Sequence, residues 1–210
     1  MYKLYFSAGA ASLCVHQALL ELGVGHELIA VDLKAGAQKQ AQYLALNPNG
    51  VVPTLIVDGR PHYEAAALLL LLAERHPEGG LAPMPGSPER STYLQWTMHL
   101  ANTLQPAFRH WFYPDEIAGA EHADRVKQEA RTRIEACFNR IDAHLAEHGP
   151  LMLGSKFSVL DLYAVMLMRW SRNMPVPATE WAACRALVER VKARPSWSRV
   201  NAEEGLTEWV

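Results

Sequence analysis

The chain has 210 residues, half of them hydrophobic and a fifth charged, with a formal net charge of −2. That composition suits a soluble globular protein with core enough for one large domain or two small ones. So small a net charge excludes a long-range field favouring nucleic acid or an anionic membrane surface. Three widely spaced cysteines, Cys14, Cys137 and Cys184, exclude a disulfide framework and fit a reducing cytosol. The opening residues lack the apolar core of a signal peptide, and the most apolar run, 65–73, is far shorter than a membrane span. A soluble, cytoplasmic protein is expected.

Residues 2–7 alternate in polarity and predict a strand. SAGAA at 7–11 is turn-like, and Ser12 is placed to cap a helix whose apolar positions are Val15, Leu19 and Leu22, with Gly23 as its stop. Residues 27–31 predict a second strand, followed by a loop with a short helix over 32–42. The stretch 47–55, NPNGVVPTL, opens with two turn dipeptides, Asn47-Pro48 and Asn49-Gly50. Pro53 then starts a third strand, 54–57, where its missing N–H is tolerated, and forces Val52 into an extended conformation. Val52 is thereby expected to present free main-chain groups to a small peptide. Asp58-Gly59 predicts a hairpin into a fourth strand, 60–63, and 64–75 reads as a buried helix.

Residues 76–89 hold four prolines and three glycines, which no element interior accepts. The division expected is a first domain at 1–76, a linker at 77–89 and an all-helical second domain at 90–210. In that second half, Leu94, Met98, Ala101, Leu104 and Phe108 share one helical face. Residues 126–145 give a long second helix ending at Gly149-Pro150. Ser158 and Asp161 form a capping-box pattern opening a third, to about Trp170. A helix at 180–190 and a short last one complete the chain.

The order βαβαββα, a proline opening the third strand, a proline-rich linker and an all-α second half together resemble the cytosolic glutathione transferase family over essentially the whole chain. The motifs are N-P-x-G-x-V-P-T-L at 47–55, Glu64 at the third helix, and GSKFSVLD at 154–161. The opening, KLYFSAGAASL, is similar to the bacterial beta-class branch. The resemblance implies a thioredoxin-like α/β domain with a mixed four-stranded sheet, followed by a helical-bundle domain. It also implies glutathione as co-substrate, a cis Val52–Pro53 bond, and a homodimer.

It further implies roles for individual residues. Val52, turned outward by Pro53, pairs strand-like with the cysteinyl part of glutathione. Glu64 and the N–H groups at the helix start, Ala65 among them, meet the γ-glutamyl end. The family usually has Ser or Thr at position 65, so Ala65 removes one donor. Lys34 matches a lysine that contacts the glycyl end. Ser12, at the start of the first helix, is the first choice to stabilise the thiolate, with Tyr5 and Ser7 as alternatives. Ala11 occupies the beta-class cysteine position, and Gln105-Pro106 replaces that branch's His-Lys pair. Phe108, Arg109, Trp111 and Phe112, with Tyr113, are candidates to line a pocket for a hydrophobic electrophile between the domains, and Trp209 to close it.

His144 and His148 have ligand spacing on one helix face but no third ligand nearby, so no metal is expected. The function expected is glutathione transfer to an electrophile. The same thiolate also serves a glutathione-dependent isomerase or peroxidase. Ala11, Ala65, Gln105 and Pro106 leave open a non-catalytic binding or regulatory protein.

Overall fold

A computed structural model describes residues 1–209. The chain divides into two compact units. The first spans Met1–Ala82 together with the segment from Lys192 onward, and the second spans Pro83–Val191. The last helix, read from sequence with the second domain of 90–210, groups with the first unit.

The first unit contains β1 (Tyr2–Phe6), α1 (Ser12–Glu21), β2 (His26–Ala30), α2 (Ala41–Leu44), β3 (Thr54–Val57), β4 (Arg60–Tyr63) and α3 (Ala65–Arg75). Its sheet runs β2-β1-β3-β4, with β1 parallel to β2 and antiparallel to β3, and β3 antiparallel to β4. The Asp58-Gly59 hairpin has positive φ at both residues, 51° and 77°, the geometry that a two-residue turn needs to match strand twist. Leu4 and Leu55 are register partners and fully buried, whereas Tyr5 and Thr54 are the next pair and face the other way. Thr54 meets α2 through a 2.9 Å hydrogen bond to the Tyr43 hydroxyl. Tyr5 therefore lies on the α2 face, which strand alternation alone leaves undecided.

The second unit begins with α4 (Arg90–His99) and α5 (Gln105–Phe112), separated by a π-helical turn at Leu100–Leu104 rather than forming one regular helix. Pro106 explains the turn, since it has no N–H and its ring crowds the carbonyl four residues back, at Asn102. Of the positions read on one helical face, Leu104 and Phe108 are buried, whereas Leu94 and Met98 are 39% and 41% exposed. After α6 (Asp115–Ala118), the long α7 (Ala123–His148) buries Ala130, Ile134, Phe138, Ile141 and Leu145 along one stripe. α8 (Val159–Trp170) is buried almost throughout, and α9 (Ala182–Lys192) follows. α10 (Pro195–Glu203) packs on α1 within the first unit. None of the helices is long and apolar enough to cross a membrane among the described residues.

Candidate functional site

The stretch 47–55 is a turn and loop, pinned from several sides, that leads into β3. Asn47 is fully buried. Its side chain donates to the Val51 carbonyl at 2.8 Å and accepts the Asn49 N–H at 3.1 Å. The Tyr43 hydroxyl donates to the same Val51 carbonyl at 2.8 Å. Burial pushes the Tyr43 phenol above its usual range, so it stays a donor at neutral pH. Gly50 has φ 59°, and a Cβ there would fall 2.9 Å from Lys39 Nζ and 3.0 Å from the Gln38 carbonyl, so only glycine fits. The Val52–Pro53 bond is cis. The N–H and C=O of Val52 have no partner among the described residues. Val52 packs with Val31 and Tyr43, against Tyr5, Ala10, Leu33 and Ala37.

The second feature is the start of α3. Glu64 is exposed, lies at φ 74° and ψ 108°, and immediately precedes the helix. A non-glycine residue at positive φ costs on the order of 1–3 kcal/mol and persists only where its surroundings demand it. No side chain caps α3, so the N–H groups of its first turn, starting at the nearly buried Ala65, have no side-chain partner.

The start of α1 corrects the cap expected of Ser12. Ala11, not Ser12, is the cap residue, and no side chain caps the helix. Ser12 is fully buried. Its hydroxyl accepts the Ser7 N–H and donates to the Ser7 carbonyl, both at 3.2 Å. Its single proton is directed at the Ser7 carbonyl. The hydroxyl of the partly buried Ser7 has no partner among the described residues. The N–H groups of Ala11 and Ser12 accept no such assignment either, because the nearest capping bonds run from Ala10 to Ser7 and from Leu13 to Ala10. Cys14 is fully buried, and burial pushes its thiol far above the usual range, so it is no nucleophile.

Lys34 is exposed, and its ammonium forms no ion pair among the described residues, while its backbone N–H binds Asp32 Oδ1 at 3.0 Å. Lys39 was not singled out from sequence. It reaches Gly50 across the turn beside Val51 and Val52, and no motif marks it because residues 32–42 carry no clear periodicity. Trp209 rests against Trp197, with ring centroids 6.3 Å apart in the first unit.

In the second unit, several expected pocket residues are otherwise engaged. Gln105 accepts a hydrogen bond from the Tyr163 hydroxyl. Phe108 is fully buried, against Phe112, Phe138 and Trp170, and is a core residue. Arg109 forms a two-pronged pair with Glu116 at 2.6 and 2.8 Å and lies over the Tyr113 ring. Trp111 is partly buried beneath the Lys127 ammonium. Phe112 and Tyr113 are 46% and 45% exposed. His144 binds the Met152 carbonyl at 2.9 Å, which ties that ring to the chain.

Residues 11–75 match the family model for the N-terminal domain of glutathione S-transferases. A glutathione S-transferase of Xanthomonas campestris pv. campestris is 31% identical over 208 residues, covering 97% of this chain and 99% of the relative. A glutathione transferase homologue from Sulfitobacter, with bound glutathione, superposes with a TM-score of 0.90 at 26% identity over 99% of both chains. The beta-class glutathione S-transferase of Sphingomonas chungbukensis gives a TM-score of 0.85 at 30% identity, covering 98% of this chain and 100% of that one.

Proposed function

Because this chain belongs to the glutathione S-transferase family, we propose that its first unit binds glutathione and delivers the sulfur as a thiolate to a hydrophobic electrophile. The observation that carries this is Val52: a backbone edge just before Pro53 whose N–H and C=O have no partner among the described residues, in a loop held by Asn47, Tyr43 and Gly50. An edge of that kind pairs with the backbone of a peptide by strand addition. The uncapped start of α3 suits the γ-glutamyl carboxylate, with Glu64 to meet the adjacent ammonium. Lys34 and Lys39 supply positive charge for the glycyl carboxylate.

A free thiol titrates near 8.5, so the site must favour the anion. The Ala11 and Ser12 N–H groups opening α1, helped by the Ser7 hydroxyl, are the donors that remain for this once the Ser12 hydroxyl is committed. The thiol proton leaves to solvent. A sulfur lone pair then forms the carbon–sulfur bond, and the displaced group departs with its electron pair. Ala11 in the beta-class cysteine position, together with the inert Cys14, argues against disulfide exchange through a protein thiol. A cytoplasmic homodimer belongs to the same proposal, favoured by the exposed apolar Leu94, Met98 and Tyr63.

The test is calorimetric binding of glutathione together with conjugation of a generic aryl halide. Saturable binding with turnover is expected. Failure to bind at millimolar glutathione overturns the proposal, and binding without turnover of any acceptor reduces it to a glutathione-binding protein.

A further inference from the structure

Around α1, the first unit gathers groups that sequence spacing does not connect. His16 lies on α1, His26 opens β2, and Glu203 ends α10, 187 positions beyond His16. One ligand atom from each lies within 4.8 Å of the other two. The two imidazole rings meet edge to face, with centroids 5.5 Å apart.

The outer partners of both rings fix which nitrogen faces inward. His26 Nδ1 is 2.9 Å from the Val24 carbonyl, which only accepts, so Nδ1 carries the proton and Nε2 keeps its lone pair. His16 is fully buried, with Nδ1 3.0 Å from Glu204 Oε1, a carboxylate that is itself buried. Its Nε2 lies 2.9 Å from Glu203 Oε2. One ring thus donates to a carbonyl and the other to a carboxylate, the outer arrangement that orients histidines binding a metal. Glu204 is held by the Gly9 N–H at 2.8 Å, and Glu203 by Arg199 Nε at 2.7 Å through its other oxygen.

We propose that His16 Nε2, His26 Nε2 and Glu203 Oε2 bind one zinc-class divalent cation. Two imidazoles and a carboxylate are a recurrent zinc donor set, completed by water in the fourth position. Magnesium and calcium prefer all-oxygen sites and fit it poorly. Ligand atoms on a tetrahedral zinc stand about 3.3 Å apart given arms of about 2 Å. The His16–Glu203 separation is already close to that. The cation takes the place of the proton now shared between those two atoms, and Glu203 and Glu204 balance its charge. Water reaches the site from a cleft of ≈ 510 Å³ lined by Leu20, Gly23, Val24, His26, Arg199 and Glu203. A bound cation fastens α10 to α1 and β2 and, through Glu204, to Gly9. This proposal stands independently of the glutathione reading.

The experiment uses the whole purified protein after chelator treatment, titrated with Zn²⁺ by calorimetry and with Co²⁺ by absorption. One equivalent per chain is expected, with ligand-field bands of four-coordinate Co²⁺. Excess Zn²⁺ should raise the thermal midpoint. His26→Ala and Glu203→Gln should each weaken Zn²⁺ binding more than about tenfold, and His148→Ala should leave it unchanged. Binding well below one equivalent overturns the proposal. So does full affinity in both His26→Ala and Glu203→Gln, or loss of the ion in His148→Ala.

Discussion

The starts of α3 and α8 answer the same problem in opposite ways. Each exposes backbone N–H groups with no partner in their own helix. At α8 the chain satisfies them itself. Ser158 Oγ accepts the Leu160 N–H, while Asp161 accepts the N–H groups of Ser158 and Met152, both at 2.8 Å, all buried. At α3 no side chain intervenes, the preceding residue is a glutamate at positive φ, and the position after it is alanine. A closed cap of this kind holds the fold together, whereas the open one, beside an exposed carboxylate at positive φ, leaves its N–H groups without a side-chain partner. Stability and binding therefore respond to different substitutions at the two ends.

The largest expected effect is on the closed end. Asp161→Ala leaves the Met152 and Ser158 N–H groups buried without acceptors, which costs about 3 kcal/mol or more. Urea unfolding measures it, and the folded fraction should keep its glutathione affinity. The same residue sets a pH signature. Burial pushes its carboxyl up to about 6, against the opposing pull of the Met152 and Ser158 N–H groups. The folded state therefore holds this proton at pH values where the unfolded chain, titrating near 3.9, has lost it. The stability this adds is full below about pH 4 and disappears as pH rises through about 6, a swing on the order of 2–3 kcal/mol. Asp161→Ala should flatten unfolding free energy against pH over that window.

At the open end, Glu64→Ala should weaken glutathione binding by about 1.5–3 kcal/mol, roughly ten- to a hundredfold, without lowering stability. Glu64→Gly should weaken it equally while relieving the positive φ; tight binding by either variant would remove Glu64 from the site. Ala65→Ser adds the hydroxyl that the family pattern supplies and should tighten binding by about 1.4 kcal/mol, or tenfold, by calorimetry. The smallest effect expected is from Ser12→Ala. It should lower stability by about 1 kcal/mol, through the lost bridge to Ser7, and leave the pH dependence of conjugation where it was. A shift of that profile to higher pH would return the thiolate role to the Ser12 hydroxyl.

The α8 capping box was legible because both partners lie within one turn of helix and the pattern needs no other part of the molecule. The same holds for the Asp58-Gly59 hairpin, the third and fourth strands and Gly23 at the end of α1, where local backbone preference and final conformation agree. The stretch 47–55 was legible as turns leading into the third strand. Its anchors were not, because Tyr43 and Asn47 act on Val51 only after the chain turns back.

Ser12 shows where local inference fails. A hydroxyl at a helix start caps by habit, yet here it turns to Ser7, whose main chain arrives from the end of β1. Phe108 and Arg109 read as a cluster in sequence, but one enters the core and the other pairs with Glu116. Periodicity, turn chemistry and short motifs along the chain were enough to give the order of elements and the family. Which polar groups lack partners, the grouping of the last helix with the first unit, and the meeting of His16, His26 and Glu203 emerge only once the chain is folded. Those outcomes depend on contacts between residues far apart in the chain, which spacing along it does not encode.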